Sequence, residues 1–276
     1  MSGGNVWNFP MKLNACHSVN LPVLRIFSIL VARMPYIQTN GCTFYLEEYG
    51  AGPTLLLLSD LLETIETEWR RFFPSFSRHF HTIAIDFRGH GRSNNPTGTL
   101  TLPMLVEDLH GLMDVLEIER ALVCATGAGG LIAFLNGVRR PGTIERLVTH
   151  GTKLLWSRSD ATQTASTLLT RATSDGAASK LKRQVADCVE SFHDDGPGAA
   201  ELTKATFPVL LTIGDAAGGS EEDLARHTLA QVPHGELRVF SGAGNALHTV
   251  PTEDFLQTAK EFLGATGRDD SPPSTD

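Results

Sequence analysis

Between Phe44 and Phe262, short apolar runs alternate with longer amphipathic segments, and this rhythm restricts the fold more than any other feature of the chain. Phe44–Tyr49 (FYLEEY) alternates like a strand with one buried face. Thr54–Leu58 (TLLLL) is apolar after its first residue, as a strand covered on both sides must be. Further strands are expected at Thr82–Asp86, Ala121–Ala125, Arg146–Thr149, Pro208–Ile213 and Leu237–Phe240. Helices are expected at Glu66–Phe76, Leu102–Leu116, Ala128–Arg139, Glu221–Ala230 and Glu253–Phe262. In the second of these, Leu105, Leu109, Leu112, Met113 and Leu116 recur at helical spacing. Strands alternating with helices of this length predict an α/β fold, with a mostly parallel central sheet and helices on both faces.

Residues 153–206 interrupt the pattern. They contain no good strand, and their Ala, Ser, Thr and charged residues fit two or three helices. An insertion after a sheet strand covers the crevice where α/β proteins bind ligands, so this stretch is expected to be a short helical lid. The core is then 34–152 together with 207–264. Residues 1–33 lack Asp and Glu, carry only Lys12, Arg25 and Arg33, and read as a flexible extension. Residues 265–276 end in GRDDSPPSTD and read as a disordered tail.

Composition narrows the function. Thirty-one Asp and Glu against 23 Lys and Arg give a net charge of −8, which repels phosphate backbones and argues against a nucleic-acid partner. No apolar run reaches the roughly 18 residues of a membrane span, so no membrane partner is expected. Cys16, Cys42, Cys124 and Cys188 lie far apart, in no metal-site spacing, and read as reduced thiols of a cytoplasmic protein. The glycines of Gly127-Ala128-Gly129-Gly130 lack the spacing of a dinucleotide fingerprint or a P-loop, so neither cofactor nor metal is expected.

Four motifs in order resemble the α/β-hydrolase fold family over about 34–264. They are QTNGCTFYLEEYGAGPTLLLL at Gln38–Leu58, IDFRGHGRS at Ile85–Ser93, LVCATGAGGLIAF at Leu122–Phe134, and VFSGAGNALHTVPTEDF at Val239–Phe255. The resemblance implies a nucleophile in a Gly-x-Ser-x-Gly elbow, an acid after the strand Pro208–Ile213, and a histidine after the last strand. The matching positions hold Gly127, Ala217 and Asn245. A glycine supplies no oxygen, thiol or carboxylate, so covalent catalysis from that elbow is not expected. Where relatives carry His-Gly at the oxyanion hole, this chain has Ser59-Asp60, which sets a carboxylate where negative charge should develop.

Displaced groups are weighed against simpler roles. His248 reads as a loop histidine packing beneath the lid, His150 as a satisfied and partly buried histidine, and His90 as structural. Thr126 should point away from the line of attack, Asp215 should cap or turn its loop, and Cys124 should be a small buried hydrophobe. For Asp60 two placements stand open. In one, its carboxylate turns inward, accepts the backbone N–H of Ala128 or Leu61 at the start of the following helix, and has its pKa lowered. In the other it faces solvent.

The expected pocket is lined by Ser59, Asp60, Leu61, Gly127, Ala128, His150, Ala217, Asn245 and His248. The function expected first is a non-hydrolytic protein that binds a small apolar molecule or serves as a scaffold. Behind it come an enzyme of nucleophile-free chemistry (cyclisation, elimination or isomerisation) and a hydrolase with relocated residues. A protein partner or a second copy of the chain stays open.

Overall fold

The computed structural model describes residues 35–170, 177–217 and 219–265. The expected extension at 1–33 and the tail after Ala265 lie outside the described residues. The strands are β1 (Tyr36–Thr39), β2 (Cys42–Tyr49), β3 (Thr54–Leu58), β4 (His81–Ile85), β5 (Ala121–Thr126), β6 (Ile144–His150), β7 (Val209–Gly214) and β8 (Gly235–Phe240). They form one sheet in the order β1-β2-β4-β3-β5-β6-β7-β8. The pairs β1–β2 and β2–β4 are antiparallel, and every pair from β4 to β8 is parallel. The strand β1 was not foreseen, because four residues on the sheet's exposed edge carry too little apolar pattern to register.

The helices are α1 (Phe73–Phe76), α2 (Leu102–Val115), α3 (Gly127–Arg139), α4 (Arg158–Thr170), α5 (Ala177–Glu190), α6 (Phe192–Asp195), α7 (Ala199–Leu202), α8 (Gly219–Leu229) and α9 (Thr252–Leu263). Helix α2 begins where the Thr101 hydroxyl accepts the Met104 N–H at 3.3 Å, and it buries Leu102, Leu105, Val106, Leu109, Leu112 and Met113. These pack with the α3 residues Leu131, Ile132 and Leu135 over one sheet face. Trp69, Phe72, Phe73 and Phe76 join Phe255, Leu256 and Ala259 of α9 over the other. The parallel strands β3 and β5 are buried between these layers, which is why both read as nearly continuous apolar runs.

The single helix expected over Glu66–Phe76 is broken. A π-helical turn at Ile65–Trp69 is capped by the Thr64 hydroxyl, and α1 starts afresh with Pro74 in its first turn. A proline there cannot donate to Arg70, and its ring would clash with that carbonyl in a continuous helix. Between β6 and β7 lie the two longer helices α4 and α5 and the single turns α6 and α7, where two or three helices were expected.

Candidate functional site

Strand β5 is buried from end to end, and its last residue, Thr126, leads into a left-handed turn at Gly127, with φ of +44°. Only glycine takes that conformation without strain. Gly129 sits so close to the carbonyls of Leu58 and Ser59 that a Cβ would not fit, which brings α3 tight against the end of β3. The free N–H groups of α3 therefore open directly onto the second residue after that strand end.

That residue is Asp60. Its Oδ1 accepts the Ala128 N–H at 2.7 Å and the Leu61 N–H at 2.8 Å, the inward placement of the two weighed above. A Cβ built on Gly127 would land on the Asp60 carboxylate. The carboxylate thus fills both the N–H cradle and the space that a side chain at the elbow would take. Its Oδ2 has no hydrogen-bond partner among the described residues.

The expected lowering of the Asp60 pKa is corrected. Burial raises it, outweighing the N–H bonds from Ala128 and Leu61, and the nearby Glu63 charge pushes the same way. Asp60 is enclosed by protein yet keeps surface toward the cavity, so little water solvates its charge.

Glu68 was not anticipated. Its Oε2 accepts the Asp60 backbone N–H at 3.1 Å. Burial, with the neighbouring Asp60 charge, lifts its pKa to about 7. The Thr126 hydroxyl, buried without a partner in good hydrogen-bond geometry, still favours the charged form of Glu68 and offsets part of the rise. Nothing in the sequence marked Glu68, because the break at Ile65–Trp69 brings it to the end of β3.

Above Asp60 lies a cavity of about 610 Å³. Asp60, Leu61, Gly127 and Ala128 line it, with Leu131 of α3 beside them. Leu154, Trp156, Leu168, Val185, Val189 and Phe192, from the lid segment, supply an apolar wall. The Trp156 and Phe192 rings meet edge-on at 5.2 Å. Polar groups enter at the charged Lys153, Asp160 and Glu221 and the neutral Asn245 and Gln163, with threonines such as Thr164 and Thr167 on the lid side. The Lys153 ammonium is paired with Asp160 at 2.7 Å and lies 5.2 Å from the Trp156 ring centre.

Of the residues singled out in the sequence, Asp60, Leu61, Gly127, Ala128 and Asn245 line this cavity. The Asn245 Oδ1 accepts the Gly214 N–H at 3.2 Å, and its Nδ2 donates to Glu221.

Other expected lining residues fall elsewhere. Ser59 is buried beneath α3, whose close approach covers the strand end. His150 is fully buried, its Nδ1 2.9 Å from the Thr212 hydroxyl and its Nε2 3.1 Å from the Gly244 carbonyl. Its ring packs by Phe240 and Phe255, on the α9 side of the sheet, and Gly151 takes the cavity position instead. Burial lowers the His150 pKa to about 4. His248 is exposed rather than packed under the lid, because Leu247 takes the inward place in their short turn. Ala217 ends the turn Asp215–Ala217, and its side chain lies outside the described residues.

The simpler roles stand for the remaining candidates. Asp215 accepts the Gly242 N–H at 2.6 Å and the Ser241 hydroxyl at 2.9 Å, tying two loops together. His90 is buried with its Nδ1 2.9 Å from the Arg88 carbonyl, and Cys124 is buried in β5.

This sheet order, helix arrangement and lid define the α/β-hydrolase fold, and the matching family model, described as alpha/beta hydrolase fold, covers residues 53–184. An enol-lactonase structure from Burkholderia xenovorans superposes with a TM-score of 0.67 at 21% identity, covering 83% of this chain and 99% of that one. An epoxide hydrolase of Caballeronia sordidicola is 36% identical over 108 residues, which is 38% of this chain and 32% of the relative. A 2-hydroxy-6-oxo-2,4-heptadienoate hydrolase of Pseudomonas putida is 32% identical over 118 residues, 42% of this chain and 43% of the relative. The matched stretch thus spans under half the length of these curated relatives. Among the described residues no helix is long and apolar enough to cross a membrane.

Proposed function

We propose that this protein binds a small, mostly apolar molecule in the cavity beneath its lid and does not hydrolyse it. The observation that carries this reading is the Asp60 carboxylate, which occupies the N–H cradle of Ala128 and Leu61 and the space beside Gly127. A hydrolytic site needs those N–H groups free for the developing oxyanion, and losing one such donor costs about 3 kcal/mol of barrier. Gly127, Ala217 and Asn245, at the positions the family resemblance assigns to nucleophile, acid and histidine, offer neither nucleophile nor base. The curated relatives are named as hydrolases, so the reading concerns a change of use within a kept fold. The cavity volume and the apolar patch on its lid wall suit a drug-sized ligand.

A second reading is favoured by one feature. Glu68, with its pKa near 7, contacts Asp60, whose pKa is also raised, and acid–base chemistry uses carboxyl groups tuned in this way. Isomerisation or elimination would need no elbow nucleophile.

Native mass spectrometry of protein purified from its own cells tests the main reading. A small molecule bound one to one, lost on denaturation and chemically unchanged by the protein, is the expected result. A mass increment that survives denaturation would show a covalent intermediate and overturn the reading. Conversion of the recovered molecule on re-addition would support the second.

A further inference from the structure

We infer that the cavity selects a hydrophobic amine, seating its ammonium group against the free Oδ2 of Asp60 and its apolar body beneath the lid. The inference rests on the cavity-binding reading above and names the class of ligand. Three observations carry it.

The first is the state of Asp60. Its Oδ1 is saturated by the Ala128 and Leu61 N–H groups, while Oδ2 has no hydrogen-bond partner among the described residues and belongs to a residue that lines the cavity. An enclosed carboxylate with an unsatisfied oxygen is a standing demand for a donor, and a charged donor makes the stronger, shorter bond.

The second is the balance of charge around it. Asp60, Asp160 and Glu221 are the acidic residues on the cavity wall, and Lys153 is the basic one, among the described residues. Lys153 is committed to Asp160 and to the Trp156 ring. Glu63, from the turn before the π-helical segment, and Glu68, within it, are the charges beside Asp60 on that side, and α3 presents only the Ala128 N–H. Asp60 and Glu221 are therefore left without a cationic side chain, and an anionic ligand would be repelled by both.

The third is the lid. Leu154, Leu168, Val185, Val189 and Phe192 form an apolar patch on the lid, beside Gln163, Thr164 and Thr167, and an aliphatic or aromatic body packs against that patch. A body seated there also excludes water from the amine–carboxylate contact, which strengthens it.

A matched series tests the inference: n-decylamine, n-decanol and n-decanoate, each titrated by calorimetry and by displacement of the neutral dye Nile red. The amine should bind about tenfold or more tightly than the alcohol, and the carboxylate weakest. Asp60→Asn should erase the amine's advantage while leaving the alcohol nearly unchanged, and Glu221→Gln should reduce it in part. Should Asp60→Asn fail to fold, the wild type decides by pH. Amine affinity should rise as pH passes upward through the raised Asp60 pKa, and alcohol affinity should not follow. An alcohol that binds as tightly as the amine, or an amine advantage that persists in Asp60→Asn, overturns the inference. Failure of Nile red itself to bind would instead remove the cavity-binding reading on which the inference stands.

Discussion

Gly127 and Asp60 depend on each other for space. With φ of +44°, any other residue at 127 meets backbone strain of about 1–3 kcal/mol, and its Cβ would collide with the Asp60 carboxylate. Gly127→Ser is therefore expected to lower stability by at least that strain and to remain without esterase activity. The double variant Gly127→Ser with Asp60→Gly should recover about 1 kcal/mol or more relative to the sum of the single changes, measured by urea denaturation. Strict additivity would mean that the two residues do not compete for the same space. Asp60's inward turn was one of two placements the sequence left open: N–H donors lie within reach of its carboxylate, but a loop carboxylate is as readily solvated. The direction of its pKa was not legible. That direction depends on how completely the lid and the Ile65–Trp69 turn exclude water, and neither closure leaves a mark at position 60.

Strands decide which face a residue presents, and His150 shows how this escapes a reading of the chain. At the end of β6 its side chain turns to Thr212 on β7 and to Phe240 and Phe255, leaving the cavity to Gly151. The alternation of β6 is too short and too uniformly buried to reveal this orientation. The consequence is measurable. The unfolded chain protonates this histidine near pH 6.5, whereas the folded protein resists until about 4, so the unfolded state binds more protons within that window. Stability is lost as pH falls from 6.5 toward 4, by about 3 kcal/mol in the limit. Wild type should lose that much more than His150→Gln over the same range in denaturation series. Equal losses would mean that the imidazole is not held neutral.

Among the other elements, the parallel strands and the helices α2, α3, α8 and α9 were readable because their apolar periodicities are long and regular. The broken segment before α1 was not, since one proline reset a helix whose hydrophobic pattern continued across the break.

At the scale of the whole molecule, the fold holds a cavity between a rigid sheet and an inserted lid. The lid wall carries an apolar patch of Leu154, Leu168, Val185, Val189 and Phe192 beside Asp160, Gln163, Thr164 and Thr167, and the floor at Asp60 is polar and self-satisfied on one oxygen. Placing a charge in that wall should empty the cavity of apolar ligands without disturbing the sheet. Val189→Arg is expected to reduce Nile red fluorescence at least about tenfold while retaining the far-ultraviolet circular dichroism of the parent. Undiminished dye binding in a folded Val189→Arg protein would place the apolar site elsewhere. The four ordered motifs made the fold legible, because each carries several glycines or apolar residues at fixed spacing. The cavity's polar partners, Lys153, Asp160 and Glu221, were not legible, since surface-type residues in a lid and a helix start reveal their neighbours only once packed.

Reaction with a fluorophosphonate probe, read by intact-protein mass spectrometry alongside turnover of short-chain nitrophenyl esters, tests the central claim most directly. The account predicts no adduct and no turnover above a denatured control, because Gly127 supplies no nucleophile and Asp60 already holds the N–H groups an oxyanion would need. Stoichiometric labelling of a single residue, accompanied by ester turnover, would contradict it.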